Sequence, residues 1–332
     1  MNPQPLPAPG QKPATKALWP TNAGTLMVNL KGHTGRTTAL AFSSDRTLLA
    51  SSAQDGTGRI WEFASKKPGE RSVIRKECDS FASLVFSPNN RQLALGSGSL
   101  NGNIWVLDVT EKSAQEVAVL RGAKGAITAL AFSHDGKLVA GGGEDHTLRI
   151  WEPVAGGTGT PRTMLKGHTS TIRSLAFAPG NAEIATASID NSVKTWTLSR
   201  IRSTEKAAIP HPAEVNAVLY TPDGKTLITG CQDKIIRLWD LESIKPKLKL
   251  ELKGHRGGIR LLWLTPDGKM LVSVSEGPQV MNWEIPSGKV LNEWQVPAVT
   301  TAAFAVTVDG RYFANGTSSG NVDVHRVAEK RV

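Results

Sequence analysis

The sequence offers little to an enzyme or a membrane protein. Its 332 residues include only two cysteines. No Cys/His cluster has the spacing of a metal site, so no metal is expected. No run of about 20 apolar residues occurs, which excludes a membrane-spanning helix. The glycine stretches Gly141-Gly142-Gly143 and Gly156-Gly157-Thr158-Gly159 lack phosphate-loop spacing, and no helical pattern follows them to supply a dipole. No carboxylate pair is placed by a motif. No cofactor and no catalytic residue is therefore expected. Residues 1–20 have neither the apolar core nor the basic start of a secretory signal. Five prolines precede residue 14, so residues 1–23 read as a disordered tail or linker.

What is present is a beat. Trp61, Trp105, Trp151, Trp196, Trp239 and Trp283 follow one another at gaps of 44, 46, 45, 43 and 44 residues. A tryptophan recurring at that period marks a repeat architecture. The surrounding text repeats as well. Gly32-His33 is followed by the β-rich runs Thr38–Ser43 and Leu48–Ser52, then Asp55 and Trp61. Gly167-His168 leads in the same way to Thr186, Asp190 and Trp196, and His211 to Thr229, Asp233 and Trp239. Turn clusters such as Thr221-Pro222-Asp223-Gly224-Lys225 separate the runs.

On these residues the chain resembles the WD-repeat β-propeller family, over residues 24–329. The resemblance implies an all-β fold of four-stranded blades packed around a central channel. The terminal dipeptide is loose, being literal only at Trp239-Asp240. Six repeats close on tryptophan. A seventh has His325 in its place, 42 residues after Trp283, and the sequence then stops before an outer strand. The run Thr25–Leu30 looks like an outer strand without a blade. The expectation is a seven-bladed β-propeller whose N-terminal strand completes blade seven and closes the ring, removing an exposed edge. Residues 330–332 form a short basic tail. Cys78 and Cys231 fall in different repeats, too far around the ring to bridge. They are expected to be free thiols in a reducing compartment, which points to the cytoplasm, or to the nucleus in a eukaryote.

His, Ser or Thr, and Asp recur together in a way that imitates a hydrolytic triad. The resemblance implies instead buried hydrogen-bonded tetrads that brace the blades: Ser51, His33, Asp55 and Trp61; Thr186, His168, Asp190 and Trp196; Thr229, His211, Asp233 and Trp239. A nucleophile should also occur once, not three times. The pattern decays elsewhere. Repeat three has Ala123 and Gly141 at the histidine and hydroxyl positions, and repeat six has Gly277 at the aspartate position. Blades two, six and seven are expected to be looser.

The formal charge of +10 is concentrated in places. In the family's geometry the turns bearing Arg46, Arg91, Lys137, Lys225, Lys269 and Arg311 open on the bottom rim. Lys245, Lys247, Lys249 and similar clusters lie nearby. That rim is read as a solvated surface, with docking on nucleic acid or another polyanion as the alternative. No aromatic interleaving accompanies the basic clusters. Partners in the family dock mostly on the top face. The positions projecting there are Arg36, Thr38, Gln54, Thr128, Glu144, Thr171, Arg173, Ile189, Glu214, Asn216, Gln232, Arg260 and Glu276. The three arginines form an anchor set for carboxylates or phosphates, and Ile189 is expected to be an exposed apolar contact. The function expected is a non-enzymatic scaffold, a monomeric propeller within a larger assembly, that binds a protein or peptide on this face. A sensor or regulatory domain of a longer multidomain protein is the further alternative.

Overall fold

The computed structural model describes residues 25–243, 245–277, 279–296 and 303–326. The tails expected at 1–23 and 330–332 lie outside the described residues. The described residues form strands and no helix, in seven sheets. The expected four-stranded blade appears plainly in blade four. Its antiparallel strands Ile172–Phe177, Glu183–Ser188, Ser192–Thr197 and Thr204–Pro210 are paired in chain order.

The ring closes through its ends. Thr25–Leu30 pairs antiparallel with Val322–Arg326, so blade seven takes its outer strand from the start of the chain. Arg46 of blade one also reaches Asp309 of blade seven. Without that strand Val322–Arg326 would present an unpaired row of backbone donors and acceptors, and the N-terminal strand removes that liability at the seam.

The core is divided among the interfaces between blades. One apolar cluster lies between blades one and two, the next between two and three, and so on around to blades seven and one. Each repeat tryptophan packs toward the preceding blade: Trp61 among Val322 and Val324, Trp151 among Ile104 and Val106. In blade seven, His325 stands where the tryptophan would be and stacks on Phe313 at 4.6 Å between ring centroids. Alternation along each strand sends one set of side chains into the gap ahead and the other into the gap behind, so the second strands are buried on both faces while the outer strands stay largely exposed.

Six of the seven turns between first and second strands share one chemistry, a Ser or Thr hydroxyl donating to an Asp or Asn two residues on; blade four, with Ala178 and Gly180, is the exception. Thr221 Oγ1 donates to Asp223 (2.6 Å), Asp223 accepts from the Lys225 N–H (3.0 Å), and Gly224 sits at φ +70°. That left-handed position suits glycine. In blade one it is filled by Arg46 (φ +65°), so this arginine is part of the turn and not the residue after it.

One element is unforeseen. Gly157–Gly159, in the connection of blade three, pairs in parallel with Gln115–Leu120, the outer strand of blade two. Blade two thus has a fifth strand and a covered edge. The glycines allow a close approach: a Cβ on Gly159 would come within 2.9 Å of the Leu120 side chain. Among the described residues no helix is long and apolar enough to cross a membrane.

Candidate functional site

In blade one, the Trp61 indole N–H donates to Ser51 Oγ (2.7 Å). The hydroxyl donates to His33 Nε2 (2.7 Å), and His33 Nδ1–H donates to Asp55 (3.1 Å). Blade four repeats the chain through Trp196, Thr186, His168 and Asp190, with the last link at 2.7 Å. Ser51, Thr186 and Thr229 are each 0% exposed, so no substrate reaches these hydroxyls. Burial pushes the imidazoles of His33 and His168 below their ordinary range, against the pull of the aspartates. The neutral ring suits a network in which Nε2 must accept.

Blade five departs from the expected tetrad. Trp239, Thr229 and His211 are linked, but His211 Nδ1 meets the carbonyl of Ile209 (3.0 Å), and Asp233 is held by Arg237 (2.7 Å). The cause lies in two donors. In blades one and four the aspartate accepts from the backbone N–H after the histidine, at Thr34 and Thr169. It also accepts from a hydroxyl two residues on, at Thr57 and Ser192. Blade five has Pro212 and Ile235 at these places. Proline has no N–H and isoleucine no hydroxyl, so Asp233 turns to the guanidinium.

Blade six departs in the opposite sense. Gly277 supplies no carboxylate, yet His255 is not left open. Gln279 Oε1 accepts from His255 Nδ1 (3.2 Å) and from the Arg256 N–H (2.9 Å), while Ser273 and Trp283 complete the chain. The missing aspartate of this repeat is thus replaced by an amide, while the expected His255, Ser273 and Trp283 stay linked. Burial lowers the His255 pKa to about 4, against the weaker pull of the Gln279 amide and the Glu293 carboxylate. In blade three, Trp151 donates to the carbonyl of Arg121 (3.0 Å) and Asp145 pairs with Arg149 (2.6 Å).

The candidate binding residues converge at one end of the channel. A cavity of about 360 Å³ there is lined by Arg36, Thr38, Gln54, Thr128, Arg173, Asn216 and Arg260, together with Thr37 and Ala82. Gln232 and Glu276 join its wall through hydrogen bonds: Asn216 Nδ2 donates to Gln232 Oε1 (3.1 Å), Gln232 Nε2 to Glu276 (2.9 Å), and Arg260 to the other Glu276 oxygen. Burial works against the Glu276 carboxylate, but the Gln232 amide and the Arg260 guanidinium outweigh it and hold the pKa below the usual range.

Register matters here. Thr38, Thr128 and Asn216 occupy one blade position, and each spans to the next blade, donating to the carbonyls of Phe81, Ile172 and Ile259. Arg173 and Arg260 hold that same position in blades four and six. Arg36 lies two residues earlier, just before the strand Thr37–Phe42. Six of the residues named from sequence do not line the cavity: Gln232 and Glu276 join its wall only through the bonds above, and Glu144, Thr171, Ile189 and Glu214 are turned to other contacts. The Glu144 carboxylate accepts from the Ala126 N–H (3.0 Å), the carbonyls of Thr171 and Glu214 accept from Ile189 and Gln232, and Ile189 is half-buried where exposure was expected. Sequence reasoning missed Thr37 and Ala82, whose places in the innermost strands were the available signal.

The opposite ends of the innermost strands carry the basic turns, and part of that charge is neutralised. Lys225 pairs with Glu242 (2.6 Å), Lys206 with Glu183, and both Arg46 and Arg311 face Asp309. Among the described residues Lys245, Lys247 and Lys249 have no ion pair.

The repeat described as WD domain, G-beta repeat, matches residues 24–62, 114–152, 159–197 and 205–240. These four matches end on the repeats that keep the aspartate: Asp55, Asp145, Asp190 and Asp233. Among relatives, nuclear distribution protein PAC1-1 of Uncinocarpus reesii (strain UAMH 1704) is 30% identical over 299 residues, covering 82% of this chain and 65% of the relative. The guanine nucleotide-binding protein subunit beta of Arabidopsis thaliana is 25% identical over 225 residues, 64% of this chain and 58% of the relative. The periodic tryptophan protein 2 homolog of Dictyostelium discoideum is 28% identical over 225 residues, 67% of this chain but 24% of the relative. The chain spans less than two thirds of each.

Proposed function

The chain is a WD-repeat β-propeller, and from that premise we propose that it is a non-enzymatic scaffold holding a peptide or protein partner over the cavity-bearing end of its channel. The observation that carries this reading is the convergence of Arg36, Arg173 and Arg260 on one cavity from blades one, four and six. A ligand touching all three must lie across the mouth, as a loop or helix end does. Loops on a rigid frame are suited to such recognition. The Ser/Thr-His-Asp sets support a non-enzymatic role because their hydroxyls are buried and engaged by indole and imidazole. The free thiols Cys78 and Cys231 fit a reducing compartment, cytoplasmic or nuclear, and burial pushes the Cys78 thiol up to about 11, away from reactivity. The relatives are longer than the matched region, which fits a monomeric propeller serving as one module of a larger assembly, or as a regulatory domain of a longer protein.

A second reading, docking of a polyanion on the basic rim, rests on the unpaired Lys245, Lys247 and Lys249. The two are separated by charge reversal. Arg173→Glu with Arg260→Glu should abolish capture of the main protein partner while the fold melts normally. Lys245→Glu, Lys247→Glu and Lys249→Glu together should weaken salt-sensitive binding to heparin. Loss of partner capture in the lysine variant alone would move the working surface to the rim.

A further inference from the structure

The wall of the channel mouth is a polarised hydrogen-bond chain, and its direction can be followed atom by atom. Arg260 donates to Glu276, which is ionised and can only accept. Gln232 must therefore present Nε2 to Glu276, which turns its Oε1 toward Asn216. Asn216 must in turn present Nδ2, and the same nitrogen also donates to the carbonyl of Ile259 (3.0 Å), another obligate acceptor. The amide cannot flip without placing its oxygen against two acceptors. Asn216 Oδ1 is left buried with no partner, in a residue 7% exposed. A buried acceptor in that state calls for a donor.

Charge is unbalanced elsewhere around the cavity. Arg260 is matched by Glu276, but among the described residues the Arg36 and Arg173 side chains have neither ion pair nor hydrogen bond. The cavity therefore needs a negative group and a hydrogen-bond donor at once. An acidic residue within a peptide supplies both, its carboxylate for the guanidinium forks and a backbone N–H for Asn216 Oδ1. A carboxylate carries one charge. A phosphate dianion would meet the fixed Glu276 carboxylate at the rim of the same cavity, and like charge there disfavours it.

We infer that the mouth recognises its partner through an Asp or Glu side chain seated between Arg36 and Arg173, with a main-chain N–H of the same segment donated to Asn216 Oδ1. This rests on the reading of the mouth as the partner-binding site and adds the chemistry of what is bound.

The test uses the intact protein and a displayed library of random linear peptides as the probe. Selected clones are remeasured against Arg36→Gln with Arg173→Gln, against Arg173→Glu with Arg260→Glu, and against Asn216→Leu, each checked by melting. Mouth-dependent clones are expected to share an acidic residue, and changing it to its amide should cost about tenfold or more in affinity. The Arg36/Arg173 pair of changes should remove the distinction between acid and amide, a readout that holds even if Asn216→Leu fails to fold. Clones that depend on Arg173 and Arg260 but tolerate the amide overturn this inference and leave the mouth as the binding site. A library in which no clone depends on any mouth residue overturns both.

Discussion

In blade four, Asp190 accepts from His168 and from the Thr169 N–H. In blade five, Asp233 faces Arg237, and His211 donates to the Ile209 carbonyl. The two blades have the same histidine, threonine, aspartate and tryptophan at nearly the same spacing. What differs is the set of small donors that fix the carboxylate before the histidine can use it. Thr169 and Ser192 supply two of them in blade four; Pro212 and Ile235 supply neither in blade five. The cation also differs. Lys194 has a single ammonium and spends it on Glu205 (2.7 Å), whereas the fork of Arg237 reaches Glu251 and Asp233 together. An Arg alone is not sufficient, because Arg59 of blade one pairs with Glu70 and leaves Asp55 to His33. A repeated motif names the groups that can meet; the residues beside it select which of them do.

The largest effect should come from a lesion that ignores this difference. Both blades hang on one closed frame, so deleting residues 1–32, which removes the strand paired with Val322–Arg326, should aggregate the protein or lower its melting temperature markedly. Deleting residues 1–20 should leave stability nearly unchanged. Equal behaviour of the two deletions would mean that the seam is held some other way.

Next in size is the aspartate itself. Asp190→Ala strands the His168 N–H and the Thr169 N–H, and should destabilise the fold by roughly 1–3 kcal/mol in urea unfolding. The sharper measurement is a pair of double-mutant cycles. His168 and Asp190 should couple by about 1 kcal/mol or more, whereas His211 and Asp233 should be additive to within about 0.5 kcal/mol. Matching coupling in both blades would erase the contrast.

Acid titration extends the comparison to blade six. All four bridging imidazoles are lowered by burial, and His255, which has an amide in place of a carboxylate, reaches about 4. A histidine whose folded pKa lies below its unfolded value contributes stability that is fully present above about 6.5 and is lost as pH falls through the folded value. His255 should therefore stay neutral by NMR down to about pH 4, and its contribution should decline between about pH 6.5 and 4. A ring titrating near its ordinary value would contradict the buried Gln279 partnership.

The smallest effect is a repair. Pro212→Thr combined with Ile235→Ser returns an N–H and a hydroxyl to Asp233. The aspartate should then swing to His211, stabilising the protein by about 1 kcal/mol and raising the His211 pKa toward its ordinary value. A His211 titration that stays where it was would show that Arg237, not the missing donors, controls the carboxylate.

Much of the architecture was legible along the chain. The tryptophan interval set the blades, and the unmatched run Thr25–Leu30 beside a seventh repeat without an outer strand indicated how the ring closes. Both follow from local pattern, because a strand's partner is its sequence neighbour everywhere except at the seam and at Gly157–Gly159. The channel-mouth positions were readable for the same reason: a fixed offset from each tryptophan places Thr38, Thr128, Arg173, Asn216 and Arg260 around one opening. The blade-five exchange was present in Pro212 and Ile235 but silent until the donors to Asp55 and Asp190 were known.

By itself, then, the sequence determined the all-β repeat, the number of blades and the strand that closes them. These depend on periodicity, which is a property of order along the chain. Tertiary structure alone decided that Asp233 belongs to Arg237, that Gln279 replaces a missing aspartate, that Gly157–Gly159 covers the edge of blade two, and that Asn216 Oδ1 is buried without a partner. Each of these is a choice among several donors and acceptors within reach, and reach is settled only when the blades are packed and water is excluded.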